Sequence, residues 1–330
     1  MDGDFAFVIF IVVLALGFDF INGFHDAANS VATVVSTRVL TPGQAVVWAA
    51  FFNFVAAFGL GIHVANTVGK GIVETNIVDE KVIFAALVGA IVWDIITWRF
   101  GLPTSSSHAL IGGLVGAAIA AAGTDAVIRA GIERTSAFIV ISPVVGFIAA
   151  VFLALAVLRL YAHVAPSTAS GVFRRLQLLS AAAYSLGHGT NDAQKTMGVI
   201  AVLLFTTGHM DNFHVPLWVI LSAHASIAAG TLLGGWRIVR TMGLRITKLE
   251  PSDGFAAEAA SAASILFATQ VGIPVSTTHT IAGGIVGVGS TKRLSAVRWG
   301  VAFNIVAAWI LTIPASAVIA ALAWVIADRV

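Results

Sequence analysis

The chain repeats itself about half its own length apart, and the repeated pieces interrupt otherwise oily stretches. Gly-Leu-Pro-Thr-Ser-Ser-Ser-His-Ala-Leu-Ile-Gly-Gly at 101–113 reappears as Gly-Ile-Pro-Val-Ser-Thr-Thr-His-Thr-Ile-Ala-Gly-Gly at 272–284. Upstream of each lies a second pair, Gly-Phe-His-Asp-Ala-Ala-Asn at 23–29 and Gly-Thr-Asn-Asp-Ala-Gln-Lys at 189–195. Duplicated halves with broken hydrophobic segments at matching positions point to a secondary transporter and its binding site.

Only 10% of the residues are charged and 58% are hydrophobic, against about 25% charged in a soluble domain. Runs near 20 apolar residues can span a bilayer. They fall at 5–21, 45–65, 82–98, 137–158, 216–236 and 299–326. Shorter or glycine-broken pieces fill 27–35, 109–122, 176–186, 197–205, 255–268 and 281–289. This predicts an all-α polytopic membrane protein of about twelve hydrophobic segments with discontinuous helices. Barrel strands would instead alternate weakly. The start Met-Asp-Gly-Asp is acidic, whereas a cleaved signal needs a basic start, so a retained helix is expected from Phe5.

The first motif pair is offset by 166 positions and the second by 171. That sets a first repeat at 1–158, a linker at 159–175 rich in Ser, Thr, Gly and Pro, and a second repeat at 176–330. Lys and Arg mark cytoplasmic loops. The loop 66–81 holds two Lys, while its counterpart 237–253 holds four basic residues. The contrast favours inverted repeats, a cytoplasmic linker and both chain ends outside.

Pro103 and Pro274 each precede hydroxyl-rich positions, Thr104 to Ser107 and Ser276 to Thr278. Ser and Thr cap helices, and proline suits the first turn. Each segment therefore reads as a helix start inside a hydrophobic region. Unpaired backbone N–H groups and the positive end of the helix dipole favour an anion there. Two such starts brought together suit a tetrahedral oxyanion.

Asp26 and Asp192 each follow an apolar run and a glycine. A carboxylate at mid-membrane costs about 2.5–3.5 kcal/mol, so each is expected to line a polar cavity and bind coupling ions or protons. Asn29 and Lys195 lie three residues on, which puts each pair on one helix face. Gly23, Gly189 and their polar neighbours predict helix breaks. Lys195 can pair with Asp192, face the anion or snorkel to an interface. Asp19, Asn22, Asn53, Asp94, His188 and His224 also fall in apolar surroundings, and His108 and His279 recur in both halves with hydrogen bonding as their expected role.

No His-Glu-x-x-His metal site or Gly-x-Ser-x-Gly elbow occurs, so an enzyme is not expected, nor any cofactor or resident metal. The net charge of +2 with bases in short loops leaves no nucleic-acid footprint. The lack of cysteine excludes disulfides.

The four motifs resemble the signatures of the inorganic phosphate transporter family across essentially the whole chain. Asn-Gly-Phe-His-Asp-Ala-Ala-Asn at 22–29 is closest to the bacterial low-affinity members. The resemblance implies a twelve-segment inverted-repeat fold, a homodimer and phosphate as cargo, in bacterial relatives as a neutral divalent-metal complex with protons. The family's phosphate cradle maps onto Ser105, Ser106, Ser107, Ser276, Thr277 and Thr278. Asn29, Asn191 and Gln194 complete the anion site, with Asp26 and Asp192 as coupling-ion or proton sites. Sodium-coupled members usually carry Asn where this chain has His25. A histidine titrates near neutral pH, which favours H+ over Na+. The expectation is a proton-driven phosphate symporter in the inner (plasma) membrane. A sodium-coupled phosphate symporter, a sulfate permease of the same fold and an anion channel are the alternatives.

Overall fold

The computed structural model describes residues 2–59 and 61–329. Every long element among them is a helix; the β-structure is an isolated bridge between Val73 and Val127. The helices are α1 (Asp2–Ser36), α2 (Pro42–Val55), α3 (His63–Lys70), α4 (Glu80–Phe100), α5 (Ser106–Ala122) and α6 (Arg129–Leu160). Then follow α7 (Pro166–Thr206), α8 (Leu217–Leu233), α9 (Trp236–Arg240, running on into a π turn at Thr241–Arg245), α10 (Pro251–Gln270), α11 (Thr277–Lys292) and α12 (Trp299–Ala327).

The outside is apolar, and an interior that is itself largely apolar also encloses charged groups. Val144, Phe152, Leu155, Phe303, Ile310 and Leu322 are exposed on α6 and α12, while Asp19, Asp26, Asp94, Asp192 and Glu258 are buried. Among the described residues four helices, α1, α4, α6 and α12, are long and apolar enough to cross a membrane. The number is up to six if the bent pairs α2–α3 (83°) and α8–α9 (60°) each count as one span.

The hydrophobic segments do not map one to one onto helices. Pieces 5–21 and 27–35 fuse into α1, and pieces 176–186 and 197–205 into the 41-residue α7. The breaks expected at Gly23 and Gly189 are absent, because each backbone hydrogen-bond ladder continues through the motif. The two glycines serve close approach instead. A Cβ on Gly23 would stand 2.1 Å from Ile227 O of α8, and one on Gly189 2.7 Å from Asn53 O of α2. A glycine costs a helix only about 1 kcal/mol relative to alanine, which packing offsets. Real discontinuities lie between α4 and α5 and between α10 and α11. There Gly101 (φ 67°) and Gly272 (φ 69°) end one helix in the left-handed region before the next begins. The segment expected as a linker is helical from Pro166, which sits in the first turn of α7. Only 161–165 remain between α6 and α7.

Two packing arrangements recur. In α5, Gly112 and Gly116 sit against α12, where added Cβ atoms would meet Ile313 O at 2.5 Å and Ala317 O at 2.1 Å. In α11, Gly283 and Gly287 sit against α6, with Pro143 O at 2.1 Å and Phe147 O at 2.6 Å. These are small-xxx-small contacts of the kind that let membrane helices touch backbone to backbone. Each ties a helix of one half to a helix of the other. Meanwhile α1 and α7 pack antiparallel at the centre. As residue numbers rise along α1 they fall along α7: Asp19 neighbours Thr196, Asp26 neighbours His188, and Thr37 bonds Gln177.

Candidate anion and cation site

Helices α5 and α11 begin deep inside the protein. Ser105 caps α5 by accepting from His108 N at 3.3 Å, and Ser276 caps α11 by accepting from His279 N at 3.1 Å. The two starts meet, with the His108 and His279 rings in edge contact at 4.8 Å between centroids. Trp309 of α12 stacks on His279 at 3.8 Å and donates its indole N–H to Pro103 O at 2.9 Å. That bond ties down the turn preceding α5.

Lys195 of α7 stands between the two starts. Its ammonium donates to Ser107 Oγ, to Asp192 Oδ1 and, at 3.1 Å, to Val275 O just before α11. Its three donors thus reach α5, α7 and the entry to α11. It is 2% exposed, so it faces the interior and does not snorkel. Asp192 also accepts from Thr277 Oγ1 at 3.0 Å and lies 3.1 Å from His188 Nε2.

On α1, Asp26 Oδ2 accepts from Thr278 Oγ1 at 3.2 Å, and Thr278 accepts from Asn29 Nδ2 at 2.8 Å. His25 Nδ1 lies 2.6 Å from Asp26 Oδ1, and its Nε2 reaches Thr97 Oγ1 at 3.1 Å and Thr104 Oγ1 at 3.4 Å. The tautomer of His25 follows from which of these partners takes its proton. A ligand atom from each of Asp26, His188 and Asp192 lies within 4.8 Å of the others, a set able to hold a cation.

The structure therefore brings together His25, Asp26, Asn29, Ser107, Thr277, Thr278, Asp192 and Lys195. Ser105 and Ser276 spend their hydroxyls on capping. Ser106 keeps a buried hydroxyl that faces the Asp94 carboxyl without completing a hydrogen bond to it. Asn191 donates to Thr269 Oγ1 at 2.8 Å, leaving its Oδ1 unpartnered. Gln194 lies apart from the cluster: its Oε1 accepts from Val64 N at 2.8 Å and Ala65 N at 3.2 Å, and its amide donates to Gly61 O at 2.9 Å. That amide caps α3. His188 and Thr104, noted in the sequence without an assigned role at the site, join the cluster, and so does Thr97. His188 had a signal, its place four residues before Asp192; Thr97 had none.

Asp26 and Asp192, taken as ionised, outnumber the single Lys195. Charges about 5 Å apart at an effective dielectric near 20 repel by roughly 3 kcal/mol. An anion entering between the helix starts adds to that repulsion.

Comparison with known proteins agrees with this chemistry. Residues 22–320 match the model of the phosphate transporter family. The chain is 56% identical to a probable low-affinity inorganic phosphate transporter of Rhizobium meliloti (strain 1021), over the whole of both chains. It is 42% identical, also over both whole chains, to one of the same description from Bacillus subtilis (strain 168). A solved structure titled "The sodium-dependent phosphate transporter" superposes with a TM-score of 0.88 at 26% identity, covering 98% of this chain and all of that one. The chain belongs to the phosphate transporter family, whose members are membrane transporters and not enzymes.

Proposed function

We propose that this member of the phosphate transporter family is a secondary active symporter that imports inorganic phosphate across the inner (plasma) membrane with protons. The observation that carries this is the meeting of two hydroxyl-rich helix starts, α5 and α11, on Lys195, with Asp26 and Asp192 beside them. Phosphate takes the place between the helix starts. It accepts from their free N–H groups, from Ser106, Ser107, Thr277 and Thr278, and from Lys195. Ser105, Ser276, Asn29 and Asn191 frame the cradle.

Drawing Lys195 toward the anion leaves Asp192 short of its counter-charge. A proton or cation at the Asp26–His188–Asp192 centre replaces it. Anion and coupling ion then raise each other's affinity, as linkage requires. His25 favours the proton, since its ring lies against Asp26 directly and an imidazole is the side chain whose unperturbed charge change falls nearest neutral pH. Phosphate enters free or as the neutral divalent-metal complex that the resemblance to bacterial low-affinity members implies. In that complex the metal is cargo.

The two halves are read as inverted repeats. The antiparallel course of the motif helices α1 and α7, and the crossed glycine contacts of α5 with α12 and α11 with α6, support this. The resemblance implies a homodimer.

Sodium coupling is the second reading, favoured by the sodium dependence of the structural neighbour and by the oxygen-rich Asp26–Asp192 pair. Radiolabelled phosphate uptake into proteoliposomes, under imposed pH or sodium gradients with sulfate as competitor, decides. Uptake driven by the pH gradient and indifferent to sulfate is expected. A strict sodium requirement overturns the proton assignment, and accumulation of sulfate instead overturns the substrate.

A further inference from the structure

Two turns before Asp26 on α1, about 10 Å along the axis, lies a second buried carboxylate. Asp19 is 0% exposed, and neither of its oxygens has a hydrogen-bond partner. Asn22 and Thr196 flank it, and Asn22 Oδ1 and Thr196 Oγ1 are also buried and unpartnered. Four polar atoms from two packed helices thus share one enclosed space without a well-formed hydrogen bond to any of them.

The charged groups that face Asp19 are Asp192 and Lys195 of α7. Lys195 has no donor to spare, because its three go to Asp192, Ser107 and Val275 O. Asp94 of α4 lies with His25 and Asp26 instead. His108 of α5 faces Lys195 and Asp192. His224 of α8 bonds Ile220 O within its own helix. No neighbouring cation is free to neutralise Asp19.

The uncompensated charge identifies the missing partner. The Thr196 hydroxyl and the Asn22 amide can each donate to Asp19, but hydrogen bonds from two neutral groups leave the buried negative charge in place. One added proton removes that charge and lets the carboxyl donate in turn to Asn22 Oδ1, which has no other partner. A calcium ion asks for more oxygens than these three side chains supply.

We propose that Asp19, with Asn22 and Thr196, is a second proton-binding site that carries one coupled proton alongside the Asp26–Asp192 centre. The inference rests on the proton-symport reading above. The carboxyl takes a proton from water on one side, donates it to Asn22 Oδ1 while the site is closed, and releases it to water on the other side.

The test compares two modes of transport in proteoliposomes. Phosphate exchange needs no net proton movement, whereas accumulation against a gradient does. Asp19→Asn places an amide N–H where the carboxyl proton sits, which mimics the loaded state. Exchange is expected within about twofold of wild type. With one pH unit imposed, accumulation is expected about tenfold lower, because one coupled proton then contributes a factor of about ten. Asp19→Glu is expected to restore accumulation in part. Asp19→Asn accumulating phosphate like wild type, with the same dependence on the pH gradient, overturns the proposal, as does loss of exchange in a folded Asp19→Asn protein. Should that variant not fold, Asn22→Leu, which removes the acceptor, carries the same test with the same outcomes. Wild-type uptake indifferent to the pH gradient removes the proton-symport reading and this site with it. A pH-driven wild type with an unaffected Asp19→Asn removes this site alone.

Discussion

Carboxylate oxygens of Asp26 and Asp192 lie within 4.8 Å of each other, although the residues are 166 positions apart in the chain. The antiparallel packing of α1 and α7 creates that approach. Two like charges so close, in a setting from which water is excluded, need a counter-charge. Asp26→Asn and Asp192→Asn remove one charge each with almost no change in shape. Both variants are expected to lose coupled uptake by two orders of magnitude or more. Asp26→Asn is expected to keep a Tm near that of wild type, and Asp192→Asn to show a lower one, since it leaves the buried Lys195 without its anion. Wild-type uptake rates in either would return that carboxylate to a structural role.

Lys195 holds three elements at one point through Asp192, Ser107 and Val275 O. Lys195→Met keeps the stem and deletes the ammonium. It leaves Asp192 buried without its cation, a loss of about 3–5 kcal/mol for a broken buried pair. A clear fall in Tm in detergent is expected. Adding Asp192→Asn to Lys195→Met should recover part of the Tm and none of the uptake, since stability needs only a balanced interior while anion binding needs the charge. A double variant no more stable than the single one would show that the pair is not coupled energetically.

The hydroxyls at the two helix starts are not equivalent. Ser105 and Ser276 cap their helices, while Ser106 completes no hydrogen bond to the protein and Thr277 donates to Asp192. A Ser106→Ala and Thr277→Ala double variant removes donors without uncapping either helix. Two hydrogen bonds to a charged ligand are together worth about 3 kcal/mol or more. The KM for phosphate is expected to rise at least tenfold with Tm little changed. An unchanged KM would mean that the anion does not contact these hydroxyls.

Much of this site could be read from the chain before any coordinates. Asp26, Asp192 and the hydroxyls at 105–107 and 276–278 stand out because a membrane interior tolerates such groups only for a reason. The helix starts after Pro103 and Pro274 were legible too, but not the unbroken run of α1 and α7 through Gly23 and Gly189. Gly23 beside a polar cluster looks the same in sequence whether the helix breaks there or another helix presses against it. The partner that decides, Ile227, is some 200 positions away. Gln194 was misjudged on similar grounds. Its motif position matches the site, yet its amide points to the start of α3, a helix the motif does not contain. Glu258 escaped notice altogether, because nothing in its own segment tells that three donors from α1 and α7 converge on it.

Glycines in contact should be far less replaceable than glycines in open space. A Cβ on Gly116 would fall 2.1 Å from Ala317 O, and one on Gly23 2.1 Å from Ile227 O, backbone atoms that cannot step aside alone. Nothing lies within 4 Å of a Cβ on Gly17. Gly23→Ala and Gly116→Ala are expected to cut the yield of folded protein severalfold. Gly17→Ala is expected to leave yield and Tm unchanged or slightly raised, by helix propensity. Equal yields for all three would contradict the close approach of α1 to α8 and of α5 to α12.

The Glu258 carboxylate accepts from Thr33 Oγ1 at 2.5 Å, Gln177 Nε2 at 3.0 Å and Ser180 Oγ at 2.5 Å, joining α10 to α1 and α7. A residue held by three donors in the transport core can be a structural clamp or a group that must carry charge, and two substitutions separate these roles. Glu258→Gln keeps one oxygen for Thr33 and Gln177 and turns its amide toward Ser180, whose hydroxyl can accept as well as donate. The amide therefore preserves the clamp. Glu258→Leu strands all three partners, at about 1–3 kcal/mol for each group left unsatisfied. Glu258→Leu is expected to lower Tm and yield sharply, and Glu258→Gln to hold both. Phosphate uptake by Glu258→Gln then decides the role: a rate within twofold of wild type assigns Glu258 to holding α1, α7 and α10 together, and the expected outcome is that rate, since its donors already satisfy it without any ligand.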